Sequence, residues 1–330
     1  MSKLLRLDPF LMALIATVAL ASVLPCEGRF AAVMANVTDA GIALLFFLHG
    51  ARLSRAAILS GIGAWRVHAL ALGTTFLFFP AIGSILRAAG HGWLNPVIAD
   101  GMLFLCLLPS TVQSSIAFTS IARGNVPAAV CSASASNVLG IFLTPVLVGI
   151  FLLRGPAGGF SFSSLGAIVL QLLLPFVVGH LSRPLTAAFI ARHKAVIGKV
   201  DRGTILLVVY TAFSAAVIEG LWTRYSASDL AITLVLNGAI LALALVFTTM
   251  VARRAGLSTA DETVVVFCGS KKSLASGVPM AGVLFPPALL GPMILPLMLF
   301  HQIQLMVCAV LAQRYASRSQ ADGTTRAHAG

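Results

Sequence analysis

Phe267-Cys268-Gly269-Ser270-Lys271-Lys272-Ser273-Leu274-Ala275-Ser276-Gly277-Val278-Pro279 places two adjacent lysines inside an otherwise apolar run. Thr263 to Val266 precede the stretch and Val278 to Phe285 follow it, so it lies at depth in a segment that reads as membrane-spanning. Two lysines facing lipid at that depth would cost roughly 5–7 kcal/mol. The two glycines, the proline and the serines around them weaken a continuous helix and supply hydroxyls. A broken helix carrying charge points to a polar cavity; the alternative is that both lysines snorkel from a shorter span.

Working outward, the whole chain has the composition of a membrane protein. Hydrophobic residues make up 58% of the 330 and charged residues 10%, where a soluble domain holds about 25%. Long apolar runs replace amphipathic periodicity, which predicts a polytopic all-α integral membrane protein. The first run, Pro9 to Leu24, follows Lys3 and Arg6 as in a signal peptide, but no small-residue cleavage site follows, and it is expected as the first helix. The formal charge of +12 does not signal nucleic acid, because the basic residues fall in alternate loops. The cysteines Cys26, Cys106, Cys131, Cys268 and Cys308 occur singly and read as packing residues rather than disulfides or metal ligands.

Ten spans are expected, near 9–25, 33–50, 67–87, 96–122 and 127–153, then 165–182, 203–221, 229–251, 262–285 and 291–313. The tail 314–330 is polar and expected to be disordered. With both termini in the cytoplasm, only Arg29, Arg87, Arg154 and Arg224 face the opposite side, so the positive-inside rule selects that orientation in the cell inner membrane. Trp65 and Trp222 fit interfacial anchors.

The interruption in the ninth span has a counterpart. The fourth runs apolar from Met102 to Leu108 and then breaks into Pro109-Ser110-Thr111-Val112-Gln113-Ser114-Ser115. Spans four and nine are equivalent members of two five-span halves, residues 1–153 and 154–313, and an odd number of spans per half forces opposite orientations. Breaks at matching places in inverted repeats point to a transporter's midplane site.

At these breaks the chain resembles the bile acid:sodium symporter family, in its divergent symporter-like branch. The resemblance rests on Gly41-Ile42-Ala43-Leu44-Leu45-Phe46-Phe47-Leu48-His49-Gly50-Ala51-Arg52-Leu53-Ser54 and on the stretch from Pro109 to Pro145. The latter includes Ala122-Arg123-Gly124-Asn125-Val126 and Leu143-Thr144-Pro145. It implies a panel and a core domain, with spans four and nine crossing in the core, and sodium-coupled uptake of amphipathic organic anions. The family's ligands do not carry over intact. Of Pro-Gly-Gly-Thr-x-Ser-Asn at the first break, Pro109 and Ser114 match, whereas Ser110, Thr111 and Ser115 do not. Two hydroxyl ligands fall on Ala129 and Ala133, the glutamate on Phe267, the crossover glutamine on Lys271, and the third-span glutamine on Thr75.

The expected substrate site comprises Thr111, Gln113, Ser114 and Ser115 from the first break and Ser270, Lys271, Lys272 and Ser273 from the second. An ion site, or one in which a lysine ammonium stands in for the ion, would draw on Ser114, Ser115, Ser134, Asn137 and Lys271. Adjacent lysines point in different directions on a helix, so one is expected to serve the core and the other the substrate or its path. His301, Gln302 and Gln304 in span ten read equally as cavity-facing or as helix–helix contacts. No HExxH, GxSxG or paired acidic motif is present, so no enzymatic activity is expected. The expected function is secondary active transport of a small organic anion within the lipid bilayer. There is no cofactor or certain metal site, sodium or the proton is the candidate coupling ion, and no pattern sets the oligomeric state. The alternative is a transport-incompetent membrane regulator of ion homeostasis.

Overall fold

Leu108 precedes a proline, and its backbone is extended (φ −79°, ψ 156°), so the apolar helix before it stops at Leu107. Rules of this local kind set several boundaries in the computed structural model, which describes residues 9–52, 63–152, 162–220, 223 and 226–327. Among the described residues every regular element is helical. In chain order they are α1 (Pro9–Val23), α2 (Gly28–Arg52), α3 (Trp65–Ala89), α4 (Pro96–Leu107), α5 (Gln113–Ile121) and α6 (Val126–Phe151). There follow α7 (Phe162–Arg192), α8 (Lys194–Ile218), α9 (Ala227–Arg254), α10 (Thr259–Gly269), α11 (Leu274–Leu284) and α12 (Pro287–Ala327). Asn95, Asn125 and Ser258 cap α4, α6 and α10 by accepting the amides of Val97, Ala128 and Asp261. Seven helices among the described residues are long and apolar enough to cross a bilayer: α2, α3, α6, α7, α8, α9 and α12. All five cysteines are buried and unpaired.

Two expectations are corrected. The basic segment between residues 182 and 203 is not a loop: α7 continues to Arg192 and α8 begins at Lys194. Lysine and arginine are good helix formers, so hydropathy falls there before helicity does. The tail is also helical as far as Ala327, and not disordered from Arg314. Lys3, Arg6, Leu53, Ser54, Arg55, Arg154, Trp222 and Arg224 lie outside the described residues, whereas Trp65 is exposed at the start of α3.

The chain separates into two compact units. One holds residues 1–53, 160–230 and 277–295, in which α2 packs on α7 and α8, and α1 on α8. Close approach here needs glycine: a methyl on Gly50 would strike the carbonyl of Phe176, and one on Gly179 the carbonyl of Phe47. Arg52, at the end of the same motif, pairs with Asp201 at 2.6 Å. The other unit holds residues 54–159, 231–276 and 296–330, and both interrupted segments, α4–α5 and α10–α11, break within it. Arg123 ends α5 in the left-handed region (φ 59°), its amide bonded to Ser120 and that of Gly124 to Thr119. Asn125 then binds α10, its amide to the Ala260 carbonyl and its side chain to Asp261 at 2.8 Å. The Ala122–Val126 motif is thus the turn that ties α5 and α6 to α10.

Candidate functional site

The second break is built on carbonyls that the sequence leaves without helical donors. Inside α3, Thr74–Phe78 form a π-helical turn in which the Phe79 amide reaches back to the Thr74 carbonyl. The next donor in that register would be residue 80, which is proline and has no N–H. The Thr75 carbonyl is therefore left open. At the end of α4 the carbonyls of Cys106, Leu107 and Leu108 lack helical partners as well. Thr144 Oγ1 donates to Leu107 at 2.9 Å. Lys272 supplies the rest: its Nζ donates to the carbonyls of Thr75 (3.0 Å), Cys106 (3.0 Å) and Leu108 (2.7 Å), with the Phe79 ring centroid 4.1 Å away. A cation at the C-terminal end of half-helix α4 also complements its dipole.

Lys271 is treated differently. Both lysines are fully buried, so snorkelling is not how the chain accommodates them. Yet Lys271 Nζ reaches Ser114 Oγ only at 3.4 Å and otherwise lies over the rings of Phe118 (4.3 Å) and Phe267 (5.6 Å). The carbonyl-coordinated ammonium is that of Lys272, and Lys271 keeps donor capacity to spare.

The two breaks are joined through their main chains. The Ser273 amide donates to the Pro109 carbonyl at 2.9 Å, and Ser115 Oγ to the Phe267 carbonyl at 2.8 Å. Asn137 bridges them, donating to the Ser110 carbonyl at 2.7 Å and accepting Ser276 Oγ at 2.7 Å. Ser136 Oγ accepts the Ser110 amide at 3.0 Å, and Thr111 Oγ1 meets both Ser114 Oγ (2.7 Å) and Ser115 Oγ (2.9 Å). Ser273 caps α11 by accepting the Ser276 amide, while Ser270 Oγ turns back to the Val266 carbonyl. Ser110 Oγ is buried with no hydrogen-bond partner among the described residues.

Of the residues singled out in sequence, Thr111, Ser114, Ser115, Asn137, Ser270, Lys271, Lys272 and Ser273 come together here. Gln113 is exposed and Ser134 half-buried, and neither takes part in this network. Sequence reasoning missed the Thr75 carbonyl, Thr144 and the bridging role of Ser276. Pro80 and Pro109, which deny helical donors to carbonyls nearby, were the available signal. Gln304, left open above, resolves as a main-chain clamp: its side chain accepts the Lys272 amide and donates to the Lys272 carbonyl, both at 2.9 Å. Ala129 and Ala133, which the family resemblance would place at hydroxyl-ligand positions, pack in an apolar cluster with Val264, Val265 and Cys268.

Fold and site together define a multi-pass helical membrane protein with two interrupted helices meeting over buried lysines. Residues 8–317 match the SBF-like CPA transporter family, and the chain belongs to it. An uncharacterized protein of Pseudomonas aeruginosa is 59% identical over 94% of this chain and 93% of its own length. YfeH of Escherichia coli (strain K12), by name a candidate symporter, is 53% identical over 96% of each chain. Sodium/bile acid cotransporter 7 of Danio rerio is 26% identical over 84% of this chain and 83% of its own. Membership of a transporter family indicates transport rather than catalysis.

Proposed function

We propose that this chain is a secondary active transporter that carries an organic anion by alternating access, without strict dependence on sodium. In this reading ten helices cross the inner membrane with both termini cytoplasmic, as inverted repeats 1–153 and 154–313. The segments α4–α5 and α10–α11 are then the paired discontinuous helices. Support comes from the breaks, which fall in corresponding places and belong to one unit drawn from both halves of the chain.

The observation that carries the coupling reading is the three-carbonyl coordination of Lys272 Nζ. Carbonyls freed at a helix break are the oxygen ligands such folds offer a sodium ion. A tethered ammonium, while protonated, supplies that charge from within the chain. The glutamate position holds Phe267, and two hydroxyl positions are methyl groups packed in hydrocarbon. Lys271, Ser114 and the unpartnered Ser110 hydroxyl remain to receive a carboxylate, sulfate or phosphate, beside the electropositive N-termini of α5 and α11. Thr111, Ser115, Ser270 and Ser273 lie along the two breaks beside that site, and Gln113, at the start of α5, is exposed. The Danio rerio relative's name mentions sodium and bile acid; the amphipathic anion is carried over as a substrate class and the sodium is not.

Liposomes holding purified protein test the reading, with amphipathic anions offered under imposed sodium, potassium or pH gradients. Saturable uptake that proceeds without sodium, as exchange, facilitated movement or proton coupling, is expected. Strong sodium stimulation lost in Ser114→Ala or Ser115→Ala would sink the lysine-for-sodium model. Absence of any uptake would point instead to a transport-incompetent regulator of ion homeostasis.

A further inference from the structure

A groove of about 880 Å³ runs between α9 and α12. Its walls are apolar side chains such as Val246, Met250, Val307 and Val310, and its end is marked by Arg253, Arg254 and Arg314. From Leu245 to Arg254 the groove follows α9 for roughly 13 Å at 1.5 Å per residue. One leaflet of hydrocarbon is about 15 Å deep, half of the ~30 Å core. The walls are open rather than enclosed, Val246 and Met306 being 65% and 61% exposed. Lateral entry from the bilayer suits that shape.

The arginines differ in what they are free to bind. Arg253 is held by Glu262, with Nε 3.1 Å from both carboxylate oxygens, and Tyr315 donates to the same carboxylate at 2.6 Å. Arg254 and Arg314 are exposed and have no ion-pair partner among the described residues. Arg66 adds a further positive charge nearby, donating to the Ala255 carbonyl just beyond α9. Two unpaired guanidiniums at one end of an apolar trough one leaflet deep match a phosphodiester on an acyl chain.

We infer that this groove is a seat for an anionic phospholipid, an acyl chain lying between α9 and α12 and the headgroup phosphate on Arg254 and Arg314. Leu245 and Leu311, which line the groove, also pack on the cluster containing Phe267, with Phe118 against it. The bound chain therefore backs the aromatic pair on which Lys271 rests. The inference does not depend on what the protein transports.

Native mass spectrometry of the full-length protein in neutral detergent tests it, with dioleoyl phosphatidylglycerol, dioleoyl phosphatidylcholine or inorganic phosphate added. Phosphatidylglycerol should be retained at least about tenfold more strongly than phosphatidylcholine, since two arginines face the headgroup. Inorganic phosphate should neither bind nor compete. R254Q and R314Q should each weaken retention about fivefold, and R254K and R314K should largely keep it. Equal retention of the two lipids by the unmodified protein overturns the inference, and that comparison needs no variant to fold. Phosphatidylglycerol retention unchanged in R254Q/R314Q, or displaced by inorganic phosphate, overturns it equally.

Discussion

Ser273 donates its backbone amide to the carbonyl of Pro109 at 2.9 Å, so the two interrupted segments are hydrogen-bonded main chain to main chain. Side chains then divide the work around that contact. Lys272 satisfies α3 and α4, Asn137 spans the breaks, and Lys271 is left with one long hydroxyl contact and two aromatic faces.

The two lysines should therefore differ in what their removal costs. Lys272→Met strands three buried carbonyls and should destabilise the protein by about 3–5 kcal/mol. Lys271→Met removes a weakly bonded buried charge and should cost about 1 kcal/mol or less. Thermal unfolding in detergent compares them. Equal losses would mean that the carbonyl cage has been misassigned.

Pro80 offers a double-mutant test of why the Thr75 carbonyl is open. Pro80→Ala returns an amide that can serve that carbonyl, so Lys272→Met should hurt less in its presence. The coupling expected is about 1 kcal/mol, one hydrogen bond's worth. Strict additivity would show that the π-helical turn does not free Thr75 for Lys272.

For coupling, Lys271→Gln restores the residue type implied by the family resemblance but leaves Phe267 without a carboxylate. Uptake in liposomes should remain insensitive to sodium in that variant. An ammonium and sodium at ion-pair distance repel by several kcal/mol at intermediate dielectric, but removing that repulsion and adding one amide oxygen still supplies no carboxylate. Sodium dependence gained by this one substitution would contradict the account.

Two glycines should respond to alanine with opposite sign. On Gly140 a methyl would lie 2.6 Å from Cβ of Pro109, so Gly140→Ala should cost about 1–3 kcal/mol by overpacking the first break. Gly198, within α8, has nothing within 4 Å of that position, so Gly198→Ala should gain up to about 1 kcal/mol of helix propensity. Melting temperatures moving the same way would refute the packing at Pro109.

Arg123 sits at φ 59°, where a side chain strains the backbone. Arg123→Gly should stabilise by about 1 kcal/mol. A loss would show that the guanidinium makes a contact worth more than the strain it imposes.

The sequence made the class of fold legible because hydropathy alone separates a bilayer-spanning chain from a soluble one. It also exposed both breaks, since Pro109 and the Gly269–Gly277 stretch cannot sit comfortably in uninterrupted helix. What it hid was main-chain chemistry. Nothing in the side chain of Thr75 announces that its carbonyl binds Lys272; that follows from a missing amide five residues later. Gln304 was ambiguous for a related reason, because its partner is the backbone of a residue rather than its side chain. Lengths of α7 and α8 were misread where charged residues stay helical after hydrophobicity ends.

One consequence of the Gln304 clamp concerns amide hydrogens. Backbone that leaves a helix ordinarily exchanges quickly with solvent. Here the Lys272 amide is held by Gln304 and the Ser273 amide by Pro109, and both residues are buried. The Lys272 and Ser273 amides should thus exchange as slowly as those of the helices that flank them, and the segment that looks softest by its chain regularity acts as a locked clasp.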